Sequence, residues 1–301
     1  MKYPVQTNIL KTHRRQKTQR RLNNRISLLF ATALLLITTV TLAQNPLADK
    51  QQIGLFKNSK TCVVLEDGTI SYNIFIKDAV EKHWNTTDYE FIDKKEFEKR
   101  RFSSKYSFLL LLKGEDDKDP RGVSYDYLSL VLGSGTPEIS DMPEFVSIPL
   151  AYSDDKNAEY GYAIPAIVKF IQRQVRVLDN KRFFISLFDL KYHNFSKNFR
   201  DKALLLSEEH MAEEVGTIYK IKAVYPNYVE LLTIQTLEEK LAQNPENTLF
   251  LHHVGPGGLT AAGKCFEMIF DVEGTLYYYN HRQITNASED GFNEKDLKRI
   301  R

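Results

Sequence analysis

Residues 89–112, YEFIDKKEFEKRRFSSKYSFLLLL, are the stretch that decides the fold. They predict a short strand to Ile92, a helix, and a second strand from Tyr106. Asp93 stands where a helix cap is expected, and Glu96 follows three residues later, which is the spacing of a capping box. The second strand is apolar at successive positions, as in a strand that is covered on both faces. The stretch therefore predicts a β–α–β unit in a packed core.

A similar stretch returns at residues 229–254 as VELLTIQTLEEKLAQNPENTLFLHHV. The two align without a gap over residues 90–98 and 230–238, and a shift of two residues then brings Phe108 onto Phe250. Any two strand–helix–strand units share part of this pattern. The alignment predicts two related halves.

The order of strand and helix patterns predicts an α/β protein with mixed β-sheets and short flanking helices, with α+β as the alternative. The first half is predicted over residues 60–162, a connecting helix and strand over 163–201, and the second half over 202–301. The amphipathic pattern at the start of the connection indicates a central packing helix. Residues 183–192 are either a strand or an apolar linker, and residues 208–219 have a helix-like pattern.

The N-terminus has the pattern of a secretory leader. Residues 1–25 hold eight basic side chains and no acid, and residues 26–43 are uncharged. Thr41 and Ala43 are small residues before a possible cut at Gln44. Residues 1–43 are therefore predicted to be a signal peptide, with an uncleaved N-terminal anchor as the alternative, and residues 44–59 to be a flexible lead-in. The protein is predicted to be exported, periplasmic or secreted, and to contact a membrane only through residues 26–43 if the leader is retained.

Charge and composition exclude some classes of partner. The whole chain has 41 basic and 39 acidic residues, and without the eight basic residues of the leader 33 remain against 39. A mildly acidic domain has no electrostatic reason to bind nucleic acid or an anionic membrane surface. Cys62 and Cys265 are the two cysteines, too few for a disulfide scaffold. They either pair in an oxidising compartment or remain as buried thiols.

Candidate site residues lie at the end of the second copy. His252 and His253 end an apolar strand, the glycine loop 255–263 follows, and Cys265 and His281 lie on the next predicted hairpin. These residues suggest hydrolase chemistry with a cysteine and a histidine. Neighbouring strand residues face opposite sides, so the two histidines are not expected to bind one metal ion. No metal site is predicted.

Residues 258–265, GLTAAGKC, nearly match a phosphate-binding loop. However, Cys265 replaces the hydroxyl residue that binds magnesium, and a strand is predicted after it instead of a helix. A glycine loop between strands is the better interpretation, and no cofactor is predicted.

The β–α–β patterns at residues 89–113 and 229–254, behind a signal peptide, resemble uncharacterised exported bacterial proteins with small α/β modules. More loosely, they resemble modules of envelope-associated binding proteins. This resemblance carries over no functional residue. Since the chain has no catalytic signature, we expect a non-enzymatic envelope or secreted protein that binds a protein partner or a small-molecule ligand. The alternative is a hydrolase with a site around His252, His253, loop 255–263 and Cys265.

Overall fold

A computed structural model describes residues 47–68, 70–115, 123–153, 159–180, 198–256 and 263–301. All of them lie in one compact unit, Ala43–Arg301. They form two mixed five-stranded sheets with flanking helices, so the predicted α/β class is confirmed. Among the described residues, no helix is long and apolar enough to cross a membrane.

The first half contains one of the two sheets. In chain order its elements are α1 (Lys50–Lys57), β1 (Lys60–Val64), α2 (Ile70–His83), β2 (Tyr89–Ile92), α3 (Lys94–Arg100), β3 (Tyr106–Glu115), β4 (Ser124–Leu132) and β5 (Glu144–Tyr152). Sheet A has the order β2-β1-β3-β4-β5. Strand β1 is parallel to β2 and β3, and the two pairs that follow are antiparallel.

The second half repeats this topology after the connecting helix α4 (Ile164–Asn180). Its elements are β6 (Ala203–Ser207), α5 (Ile218–Val224), β7 (Val229–Leu232), α6 (Ile234–Ala242), β8 (Thr248–Val254), β9 (Gly263–Asp271), β10 (Leu276–Ile284) and α7 (Glu294–Ile300). Sheet B has the order β7-β6-β8-β9-β10, with parallel and antiparallel pairs in the same places as in sheet A.

Strand register gives the equivalence of the two halves residue by residue. Cys62 pairs with Glu90 on one side and Phe108 on the other. Leu205 in the second half pairs in the same way with Glu230 and Phe250. The predicted match of Phe108 with Phe250 is therefore confirmed. The shift of two residues arises because α6 has nine residues and α3 has seven.

One of the two bulges of sheet A also repeats in sheet B, whereas the bulge at Leu150 does not. Phe145 is an extra residue between the β5 positions that pair with Leu130 and Val131, and Tyr277 is the corresponding extra residue in β10. Phe145 packs on Phe56 with ring centroids 4.9 Å apart, and Tyr277 packs on Phe199 at 5.7 Å. Phe56 and Phe199 each lie four residues before the first strand of their half. Because both halves have this bulge and its aromatic contact, the interpretation of two similar halves is supported.

Helix α3 forms as its sequence predicts, with one correction at its N-terminus. The Asp93 side chain accepts a hydrogen bond from the Glu96 amide at 2.7 Å. The Glu96 side chain does not complete the capping box, because it pairs instead with Lys99 at 3.0 Å and Arg100 at 2.8 Å. Phe97 then packs edge-on against Phe108, with ring centroids 4.9 Å apart.

Helix α4 packs into the main core, which contains residues of both halves. Its Phe170 lies 5.6 Å from Phe270 of β9, centroid to centroid. Trp84, the sole tryptophan, is buried in the same core. The prediction of a central packing helix is confirmed for α4.

Two local predictions are wrong. The lead-in predicted as flexible over 44–59 contains helix α1, where Asp49 and Gln52 form a complete capping box and Ile53 and Phe56 are buried. Residues 208–219 form 3-10 turns at Glu208–His210 and Glu213–Val215 instead of one helix, and α5 begins only at Ile218. Short helices of one or two turns leave little periodicity for the sequence to show. The predicted segment 183–192 lies outside the described residues.

Candidate functional site

The candidate site lies at the carboxyl ends of β6 and β8. From β6 the chain crosses to β7 on one side, and from β7 it returns to β8 on the other side. A crevice at such a switch point is the usual ligand site of an open α/β sheet. His210 follows β6 and His253 is the last residue but one of β8, and their ring centroids are 5.5 Å apart.

His253 is held between two carboxylates. Its Nδ1 lies 3.1 Å from Glu267 Oε2 on β9, and its Nε2 lies 3.1 Å from Asp290 Oδ1 in the segment after β10. The side chain of Glu267 is fully buried, and those of His253 and Asp290 are 8% and 14% exposed. Because both ring nitrogens face carboxylate oxygens, the imidazole donates from both and is an imidazolium.

Arg282 extends these contacts to the C-terminal helix. Its Nη1 lies 2.9 Å from Glu267 Oε1 and 3.1 Å from Asp296 Oδ2 of α7. Asp296 also accepts hydrogen bonds from Tyr278 and Asn280, at 2.6 and 2.9 Å. Hereafter His253, Glu267, Arg282, Asp290 and Asp296 are called the ionic network. The network fixes the segment after β10 onto sheet B.

The pKa values follow from this geometry. Burial opposes the charge on His253, but Glu267 and Asp290 outweigh burial and raise its pKa to about 10. Burial likewise opposes the charge on Asp290, and its hydrogen bond with His253 nevertheless holds its pKa well below the usual range. His253 and Asp290 therefore form a charged pair at neutral pH.

Cys265 lies beside this pair but is not activated by it. Its Sγ donates a hydrogen bond to Asp290 Oδ1 at 2.9 Å. Burial, followed by the charges of Asp290 and Glu267, raises the pKa of the thiol. A neutral buried thiol is a poor nucleophile. Cys265 and Cys62 are both free and buried.

His252 faces the opposite side of β8, as alternation along a strand predicts. Its Nε2 lies 3.1 Å from the carbonyl oxygen of Pro149 in the first half. Burial lowers its pKa to about 4, so it is neutral at physiological pH. Burial also lowers the pKa of His210, whose Nδ1 has no hydrogen-bond partner in the described part of the chain.

The first half provides an internal comparison for the ionic network. By strand register, Leu111 corresponds to His253, Leu128 to Glu267 and Ile148 to Asn280. Leu128 and Ile148 lie in the main core, and Leu111 packs against it. At these paired positions, the first half thus places Leu111 and Leu128 where the second half places His253 and Glu267.

Sequence reasoning found His253 and Cys265 but missed the acids and the arginine around them. The signal for Glu267 was its place in KCFEMIFD, where an acid interrupts an apolar strand. Arg282 lies on β10, Asp290 lies in the segment after it, and Asp296 lies on α7. They reach His253 and Glu267 only through the folding of these C-terminal elements. Of the predicted loop 255–263, only residues 255, 256 and 263 are described.

The described residues contain no group of three or more His, Cys, Asp or Glu side chains arranged to hold a metal ion. Comparison with known proteins finds no matching family model, no similar curated protein and no similar solved structure.

Proposed function

We propose that the chain is an exported, non-enzymatic protein that binds a protein partner or a ligand. Its binding surface is the carboxyl edge of sheet B, around His210, His253 and Asp290. The observation that carries this proposal is the ionic network, whose His253 and Glu267 occupy positions filled by leucines in the first half.

The comparison of the two halves favours a functional origin of the network. Burying charges costs free energy unless each charge is paired, and an apolar core of similar shape is often as stable or more stable. Sheet A is built with Leu111 and Leu128 at the positions of His253 and Glu267. The fold therefore does not require the charges, and a role in binding explains them.

The same geometry disfavours the hydrolase alternative. A catalytic histidine must accept a proton, but both nitrogens of His253 face carboxylates and its pKa is raised to about 10. A catalytic cysteine needs an accessible thiolate, but Cys265 is buried and donates to Asp290. The arrangement suits fixed charge better than proton transfer.

Site-specific photo-crosslinking tests the binding proposal. A benzophenone amino acid is introduced in place of exposed Glu208, at the proposed edge, and in place of exposed Gln51 in α1 as a matched control. In cells that export the protein, position 208 should give a discrete adduct and position 51 should not. Adducts of equal yield from both positions, or none from position 208, would reject this edge as the binding surface.

The hydrolase alternative is supported by one observation, that Asp290 contacts both His253 and Cys265. Thiol alkylation tests this alternative. The Cys62→Ala protein, with Cys265 as its only thiol, is treated with iodoacetamide at pH 7.5. We expect folded protein to remain unmodified while urea-unfolded protein is alkylated. Faster alkylation of the folded form would show an activated thiolate and would favour the hydrolase.

A further inference from the structure

A second polar feature lies in the first half, at the amino ends of β1 and β2. An open depression of about 820 Å³ separates the turn at residues 57–60 from the connection at residues 84–89. We call it the amino-edge depression. It is formed by sheet A and its helices, and the proposed binding edge belongs to sheet B.

A continuous chain of hydrogen bonds runs behind the depression and joins its two walls. Trp84 Nε1 donates to Thr87 Oγ1 at 3.1 Å, and the Thr61 hydroxyl lies 2.5 Å from that of Thr87 and 2.9 Å from that of Ser107. Ser59 Oγ is positioned to donate to Ser107 Oγ at 2.9 Å and to the Phe56 carbonyl at 2.8 Å. We call these side chains the hydroxyl chain. Thr61 and Ser107, in its middle, are fully buried.

The two ends of the hydroxyl chain have fixed roles. The indole of Trp84 can only donate, and the carbonyl of Phe56 can only accept. Between them, Ser59 Oγ is positioned to donate to the Phe56 carbonyl and to Ser107 Oγ, and either partner can donate in the two contacts of Thr61. Such a satisfied buried chain holds Thr87 and Ser59, one on each wall, at a fixed separation.

Gln172 of α4 braces the second wall from behind. It is 4% exposed, and its Oε1 accepts hydrogen bonds from the Asn85 amide at 2.8 Å and the Thr86 hydroxyl at 2.9 Å. Its Nε2 donates to the His83 carbonyl at 2.9 Å. The connection at residues 84–89 is thus held by buried polar groups as well as by its own backbone.

The fold does not require these hydroxyls. By register, Thr61 corresponds to Leu204 and Ser107 to Leu249, and both leucines are fully buried. The hydroxyl chain is therefore specific to the half that carries the depression. Leucines are enough to build the same part of the fold in the second half. Because the first half has rigidly held polar side chains there instead, we infer that the depression in front of them is a ligand site.

The lining indicates the class of ligand. Asn58, Asn85, Thr86 and Thr87 supply its polar side chains. The two threonine hydroxyls, Asn58 Nδ2 and Asn85 Oδ1 already have partners within the protein, which leaves Asn58 Oδ1 as an acceptor and Asn85 Nδ2 as a donor for a ligand. Lys57 and Lys60 add positive charge to the lining and Asp88 adds negative charge, while Glu90 pairs with both Lys60 and Arg100. The lining therefore carries charges of both signs. Partly exposed Tyr89 offers an aromatic face.

We propose that the amino-edge depression binds a neutral saccharide. Sugar hydroxyls donate and accept hydrogen bonds as the amide groups of Asn58 and Asn85 require, and the apolar face of a sugar ring packs on an aromatic ring. The volume of about 820 Å³ is in the range of small-molecule sites.

Binding to a glycan array that contains neutral and acidic saccharides tests this inference. Fluorescently labelled full-length protein should bind at least one neutral glycan. The Asn85→Ala variant should bind the same glycan at least 10-fold more weakly. Asn227→Ala, in the corresponding α5–β7 connection of the second half, is the matched control and should bind like the unaltered protein.

Titration of the soluble glycan then locates the site, since Trp84 is the only tryptophan and lines the depression. A saturable change in its emission is expected with the neutral glycan and not with inorganic phosphate or acetate. Binding of no glycan, binding of acidic glycans alone, or equal affinity of the Asn85→Ala variant would overturn the inference. None of these results bears on the crosslinks expected from position 208, so the two proposals fail separately.

Discussion

Leu111 and His253 occupy the same position in two sheets that share their strand order and their register at this point. Leu111 pairs across the strands with Leu128, and His253 pairs with Glu267. The scaffold therefore accepts either an apolar pair or an ionic pair at this position. The two halves keep their bulge and their aromatic contact but differ in where their buried polar groups lie.

This relationship predicts how the ionic network responds to substitution. His253→Leu should cost about 3–5 kcal/mol of unfolding free energy, because it leaves Glu267 and Asp290 buried without their shared cation. Adding Glu267→Leu should recover part of this loss, since the pair then matches Leu111 and Leu128 of the first half. Urea denaturation of the two single variants and the double variant measures the coupling, expected at about 0.5–3 kcal/mol. Additive losses would mean that the two side chains do not act as a pair.

The raised pKa of His253 predicts loss of stability at alkaline pH. Its pKa is about 10 in the folded state and about 6.5 when unfolded. The folded state therefore holds the proton more tightly, so the stabilisation is complete below pH 6.5 and is lost as pH rises through 10. The slope should approach about 1.4 kcal/mol per pH unit between these values. Urea denaturation at pH 6.5, 8 and 10 measures it, and the His253→Leu/Glu267→Leu variant should lack this slope.

Much of the architecture could be predicted from local patterns. The strand–helix–strand unit and its second copy were visible because strand alternation, a helix cap and an apolar run recur at matching positions. The register match of Phe108 and Phe250 confirms that alignment. Helix α1 was missed because Ile53 and Phe56 are its only buried positions, too few to establish a period.

The candidate site was harder to predict because its members are brought together by the sheet. Asp290 lies 37 residues from His253 in sequence, and the two meet only after β9 and β10 have paired. Glu267 is one acid within an apolar strand, and only the strand register places it opposite His253. A single sequence shows residue types and local spacing, whereas a buried ionic network depends on contacts between distant elements.

Gly255 is predicted to be required for the close approach of its backbone to the ionic network. A Cβ at this position would lie 2.2 Å from Asp290 Oδ1 and 2.8 Å from His253 Nε2. Gly255→Ala should therefore displace one partner of that pair and lower the thermal unfolding midpoint by several degrees. Gly54→Ala is the control, because nothing lies within 4 Å of its Cβ and it lies within helix α1. That variant should gain about 0.5–1 kcal/mol. Equal effects of the two substitutions would contradict the close approach.

Thr61→Val tests whether the hydroxyl chain behaves as one connected unit. Valine keeps the shape of the side chain, but it removes the hydroxyl that contacts Ser107 and Thr87. The loss should be about 1–3 kcal/mol, because buried Ser107 keeps only its contact with Ser59. Adding Ser107→Ala removes this partly unpaired hydroxyl, so the double variant should be less destabilised than the sum of the two single variants. The second half supports this expectation, since Leu204 and Leu249 form the same contact with no hydroxyl at all. If the two substitutions prove additive in chemical denaturation, Thr61 and Ser107 contribute separately, and the wall of the depression is held by Gln172 and the backbone alone.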